Sequence, residues 1–178
     1  VSKKLLKSAI FVLLAVGAAG CTTTKYASNK DQNFSGKIKY LGITTSMASA
    51  PFVGTFNSNL ASMLSNCGIT PIFLNTPLDE NSIRGAMQKT YGATIKLDST
   101  ISIAAVAFTK NGYGTILSYD YELILRDSRG QKVWKAQMNF LPDSVALVGK
   151  DKGQALASEI VTHMTKDGAL AGCPAPAS

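Results

Sequence analysis

Three cysteines, one histidine and three carboxylates in apolar stretches are the residues of this chain whose types and spacing could do chemistry. Cys67 and Cys173 are too far apart for a Cys-x-x-Cys redox pair, so they read as structural. Each follows a segment with helical spacing. If those two helices pack on one sheet face, their ends meet, and an oxidising compartment permits a disulfide. Two separate thiols, one buried and one in a loose tail, are the alternative. His163 would have to serve any Ser-His-Asp triad or histidine zinc site. It lies near the end of an amphipathic helix, where the dipole favours an imidazolium in a structural role. Asp98, Asp120 and Glu122 lie in β-like segments. A pair of them could act as acid and base on a glycoside, but solvated strand positions explain them more simply. No Gly-x-Ser-x-Gly, Gly-x-x-x-x-Gly-Lys or His-Glu-x-x-His occurs. No catalytic residue, metal ligand or dissociable cofactor is therefore assigned. Tyr113, Tyr119, Tyr121 and Trp134 could line a binding surface. Alternation places the last three in the core and leaves Tyr113 exposed at a turn.

The third cysteine, Cys21, belongs to a different pattern. Lys3, Lys4 and Lys7 make a short basic start, and Ala9 to Gly20 is an uncharged apolar run. That run is shorter than the ~20 residues a helix needs to cross a bilayer. A basic start, an apolar centre and small residues at the end are the parts of a secretory signal peptide. Its end, Ala18-Ala19-Gly20-Cys21, resembles the bacterial lipobox, with Ala18 where Leu is commoner. The resemblance implies cleavage between Gly20 and Cys21, a diacylglyceryl thioether and an N-acyl chain (palmitate or a similar acid) on Cys21, and membrane attachment. Two or three acyl chains anchor stably where one binds only marginally. Thr22, rather than Asp, follows the cysteine, and by the same resemblance this implies transfer to the outer membrane, facing the periplasm.

With residues 1–20 removed, 15 of the 18 basic residues remain against 11 acidic ones, a net charge of +4. No Lys/Arg cluster interleaved with aromatics follows, so a nucleic-acid partner is not expected. Hydrophobic residues make up 46%, enough for one core. Thr22 to Ser35 is polar and aperiodic and reads as a flexible tether of at most ~45–50 Å. Residues 36–172 read as one periplasmic domain, and 173–178 as a Pro/Ala tail.

Within the domain, Lys37–Thr45 alternates as a strand. Pro51 opens a helix with Ser49 as its cap and Phe52, Phe56, Leu60 and Leu64 on one face, ending at Gly68. A short strand covers Ile69–Leu74, and a second helix runs from Asp79 to Gly92, with Leu78 and Ile83 as its staple. Ala93–Thr109, Tyr113–Arg126 and Gln131–Leu141 are strands. Asn111-Gly112 predicts a type I′ turn, and Asp127–Gly130 a second turn. Leu156, Ile160 and Met164 stripe a last helix over Lys150–Lys166. The order is β-α-β-α-β-β-β-α, an α+β fold in which a mixed sheet with a long C-terminal hairpin meander is packed by about three helices. The long hairpin is placed to extend past those helices.

This element order, with a helix Phe52–Cys67 ending in Gly68, the run Leu125 to Gly130 leading into Val133-Trp134, and a closing helix around Ala155–Met164, resembles the periplasmic domains of LpoB, CsgG and the N-terminal part of TolB. The resemblance implies an envelope accessory module that binds protein and catalyses nothing. A carrier or sensor of a small or lipidic ligand is the alternative, and an envelope hydrolase the third. The partner's identity, the oligomeric state and the pathway are not written in the sequence.

Overall fold

The computed structural model describes residues 23–47, 51–74, 96–144, 147–148 and 151–173. Its strands are β1 (Thr23–Lys30), β2 (Tyr40–Ser46), β3 (Thr70–Phe73), β4 (Ser99–Lys110), β5 (Ile116–Asp127) and β6 (Lys132–Phe140). The described helices are α1 (Val53–Asn66) and α2 (Lys152–Lys166). The six strands form one mixed sheet in the order β1-β6-β5-β4-β2-β3. The pairs β2–β3 and β2–β4 are parallel, and the pairs from β4 to β1 are antiparallel. The fold is α+β, as the alternation and helical spacing predict. The helix expected over 79–92, with Asp79, Ile83 and Gly92, lies outside the described residues, as does Ser49. The N-cap position of α1 belongs to Phe52, which makes no side-chain cap.

The expected start of the domain is overturned. The predicted tether is a strand: β1 pairs antiparallel with β6 from Thr23↔Phe140 to Lys30↔Trp134. Its segment carries few apolar side chains because it is an edge. Its backbone is satisfied on one side only, and Lys25, Ala27 and Asn29 lie exposed. Charged edges of this kind discourage further pairing. The paired sheet thus reaches back to Thr23, two residues after Cys21, rather than starting near Gly36.

The core lies between one sheet face and the two helices. In the register, Ile43 sits beside Ile101, Ile101 beside Leu125, and Leu125 beside Trp134. A second row joins Ile103, Leu123 and Ala136. All are buried against Phe56, Leu60 and Leu64 of α1 and Leu156, Ala157, Ile160 and Met164 of α2. A smaller cluster, Ile72 and Leu74 with Tyr40 and Leu97, packs separately. Gly42 is pressed between Leu97 and Leu74, whose methyl carbons would lie 2.8 and 3.2 Å from an added Cβ.

The helices run in the same direction and are tied at both ends. At their N-terminal ends Gly153 has no room for a side chain, since an added Cβ would lie 2.4 Å from the Phe56 amide nitrogen. At their C-terminal ends Cys67 and Cys173 are joined as a disulfide with Cα atoms 4.5 Å apart. Asp151 caps α2, accepting from the Gln154 amide at 2.7 Å.

Both hairpin turns share one construction, and it is not the predicted type I′. Asn111 Oδ1 accepts from the amides of Tyr113 and Thr115, and the Gly114 amide donates to the Asn111 carbonyl. Asp127 Oδ1 accepts in the same way from Arg129 and Gln131, and the Gly130 amide donates to the Asp127 carbonyl. Each turn closes on a left-handed glycine, Gly114 at φ 83° and Gly130 at φ 79°. The signal is therefore Asx-x-x-Gly, a turn followed by a left-handed residue, rather than Asn-Gly.

Candidate functional site

Three places in the described residues are candidates for a site, two polar and structural and one apolar. The first lies where β1 meets the end of α2. Asp167 is the C-cap of α2, at the negative end of the helix dipole, an unfavourable place for a carboxylate. It is held there by donors: Tyr26 Oη at 2.5 Å and the Trp134 indole nitrogen at 2.8 Å, both on Oδ2. Burial alone would raise its pKa. Hydrogen bonds from Tyr26, Ser28 and Trp134 and the nearby His163 hold it below the usual carboxylate range. Burial, with the bond to Asp167, pushes the Tyr26 phenol above its ordinary value.

His163 completes this cluster. Its ring stacks on Tyr26 with centroids 3.6 Å apart, and its Nε2 lies 3.4 Å from Glu159 Oε2. Its described contacts, a stacked ring and a neighbouring carboxylate on its own helix, are those of a packing residue. Tyr26 and Asp167 were not legible as site residues. The one available signal was an acid at a helix C-terminus, where the dipole predicts a base.

The second place is the sheet face turned away from the helices. Asp120 accepts from Asn139 Nδ2 at 2.6 Å, and Glu122 pairs with Lys135 at 2.5 Å. The hydrogen bond from Lys135 leads the causes that lower the Glu122 pKa, which is opposite to what a general acid needs. Asp98 is elsewhere. It accepts from the amides of Lys39 and Tyr40 at 2.8 and 2.9 Å, fixing the start of β2. Asp120 pairs with Ala107, nine residues further along β4, a distance of about 30 Å along a strand. The three acids do not gather in one cleft. Among the described residues no cluster of three or more metal-ligating side chains exists.

The third place is apolar. Trp134, Tyr119 and Tyr121 are buried. Beyond them the β4–β5 hairpin runs past the helices, and its apolar side chains meet solvent: Val106 (60% exposed), Phe108, Leu117 and, at the tip, Tyr113 (96%). A bulge at Val106 re-aims this end of β4. Lys110 lies over the Phe108 ring, its ammonium 4.9 Å from the centroid. Val148, in the connection between β6 and α2, is also exposed. Two hollows remain. One, of about 590 Å³, is a shallow groove along β1 and β6 beside Asn29, Val133 and Lys135. The other, of about 250 Å³, lies beside the disulfide between Met63 and Val161. No described helix is long and apolar enough to cross a membrane. Gly20 and Cys21 lie outside the described residues.

The described architecture defines a class: a six-stranded mixed sheet with two described parallel helices on one face and a hairpin projecting beyond them. Two solved structures are similar in chain path. A dodecamer of a PelC point variant from Paraburkholderia phytofirmans matches with a TM-score of 0.47 at 12% identity, over 77% of this chain and 94% of that one. The lipoprotein GNA1162 from Neisseria meningitidis matches with a TM-score of 0.38 at 13% identity, over 72% of this chain and 99% of that one. No protein-family model and no curated protein sequence matches the chain.

Proposed function

We propose that the mature protein is a lipid-anchored, periplasm-facing module of the outer membrane that binds an envelope protein or helps to assemble one, and that it is not an enzyme. The observation that carries this reading is the N-terminal segment: Lys3, Lys4 and Lys7, the apolar run to Gly20, and Ala18-Ala19-Gly20-Cys21. Cys21 takes a diacylglyceryl group on sulfur and an acyl chain on its new amino group. The commitments of the polar side chains support the second half of the reading. Asp98 holds backbone amides, Glu122 holds Lys135, and Asp167 holds a buried indole and a half-buried phenol. The packed face between sheet and helices also favours a binding surface over a ligand carrier.

The test joins two measurements on protein taken from its native envelope. Mass spectrometry of the N-terminal peptide is expected to show a chain starting at Cys21 with the mass of its acyl groups, and the Cys21→Ala protein is expected to leave the membrane fraction. Crosslinking of the wild type is expected to capture one specific envelope protein that Cys21→Ala loses. An unmodified Cys21 would overturn the anchor. A co-purifying lipid or small molecule with no captured protein would overturn the module in favour of a carrier.

A further inference from the structure

The anchored end of the chain and the exposed apolar hairpin lie at the same end of the sheet. β1 runs antiparallel to β6, so Thr23 stands beside Phe140. Phe140 is paired with Tyr119, and Tyr119 with Phe108. Thr23, Phe140, Tyr119 and Phe108 are therefore one row across four adjacent strands. On the chain-start side of Thr23, only Thr22 separates it from Cys21. Beyond Phe108 on the same side, the hairpin projects to Tyr113. The link from β6 to α2, with exposed Val148, is at this end as well, because β6 finishes at Phe140 and α2 starts at Lys152.

We infer that the β4–β5 tip is a second membrane contact: with the acyl chains of Cys21 seated in the bilayer, Tyr113 enters its headgroup layer. The inference rests on acylation of Cys21. Two residues span up to about 7 Å from Thr23 to Cys21. Five residues of hairpin carry Tyr113 about 15 Å beyond the row at Phe108. The tip thus reaches some 8 Å past the anchored residue, within the ~5–10 Å to which interfacial apolar groups sink. The tip's composition fits that layer. Lys110 is the single charged side chain between Ala104 and Tyr119. Its ammonium lies over the Phe108 ring, 4.9 Å from the centroid, and places a cation at the level where lipid phosphates lie. Tyrosine carries an apolar ring and a polar end, which suits the boundary. A flexible tether of a dozen residues would have left the tip free to face anywhere. β1, paired along its length, removes that freedom.

The test uses the acylated full-length protein in vesicles of phosphatidylethanolamine and phosphatidylglycerol, some of the lipid carrying brominated acyl chains. Tyr113→Trp places an indole at the tip, and Arg129→Trp places one at the opposite turn; the buried Trp134 signal is subtracted using the wild type. Both positions are exposed, so neither change disturbs the core. The Tyr113→Trp indole is expected to shift to the blue and lose emission to bromine, and the Arg129→Trp indole to do neither. A Tyr113→Trp indole open to aqueous iodide in the membrane-bound, acylated protein would overturn the tip contact and leave the anchor standing. An indole closed to iodide yet untouched by bromine would mean that a second copy covers the tip, and would also overturn it. Absence of acyl mass on Cys21 would remove the anchor and the inference together.

Discussion

Asp167 is the residue on which the docking of the first strand turns. It accepts from a phenol and an indole, one on β1 and one on β6, so a single carboxylate joins the sheet edge to the end of α2. Asp167→Ala leaves both donors without their acceptor, at about 1–3 kcal/mol for the buried indole and less for the half-buried phenol. The expected loss is about 2–4 kcal/mol in urea unfolding, with faster amide exchange in β1 than in β5. Asp167→Asn keeps an acceptor and is expected to cost less. The pH dependence follows from the depressed pKa of Asp167. Its contribution is complete above the unfolded carboxylate value of about 3.9 and is lost as pH falls through the lower folded value. Wild type should therefore lose melting temperature more steeply than Asp167→Asn between about pH 5 and 2. Tyr26 has the opposite sign, because its folded pKa is raised. Its contribution is intact below about pH 10 and declines above that, and Tyr26→Phe should flatten the alkaline limb of the stability curve.

At the scale of elements, the two helices are fastened by contacts of different kinds. Gly153→Ala puts a methyl against backbone atoms of α1, and backbone cannot rotate away. The helices must separate, and the expected cost is about 1–3 kcal/mol, read as a lower denaturation midpoint at unchanged secondary structure. The disulfide acts on the unfolded chain instead. Its cysteines are 106 residues apart, and replacing both by Ala is expected to cost about 4–5 kcal/mol at the upper end. Reduction of the wild type should reproduce that loss, and the double variant should no longer respond to reductant. These helices were readable because their apolar positions repeat at helical spacing: Phe56, Leu60 and Leu64, then Leu156, Ile160 and Met164. β5 and β6 were readable because Tyr119 to Leu125 and Trp134 to Phe140 alternate. β1 was not readable. Tyr26 is the one large apolar side chain in Thr23–Lys30, and the strand is made by partners more than a hundred residues away. The turn type was misread for a related reason. Asn111-Gly112 fits type I′ by composition, but Asn111 Oδ1 and the left-handed Gly114 select a longer loop.

For the whole molecule, pairing of β1 changes how a lipid on Cys21 would hold the domain. Read as a tether, residues 22–35 would let the domain wander up to ~50 Å from the bilayer. With Thr23–Lys30 folded as β1, two residues separate the strand from Cys21, and a lipid there would set the domain on the membrane with a defined end down. The sequence displayed both halves of this arrangement, the lipobox-like run ending at Cys21 and the apolar hairpin through Tyr113, but not their alignment, which exists only in the pairing of β1 with β6. Lengthening the connection tests whether its shortness matters. Ten Gly/Ser residues inserted between Thr22 and Thr23 have a root-mean-square span of about 17 Å, more than twice the natural reach. They leave the β1 pairing, the acyl site and the tip unchanged. The inserted protein should stay in the membrane fraction and keep its melting temperature. Its Tyr113→Trp indole should lose much of its quenching by brominated lipid, because the effective concentration of the tip at the bilayer falls as the connection lengthens. Quenching as strong as before would mean that the tip holds to lipid unaided, and that the short connection between Cys21 and Thr23 is not what seats it.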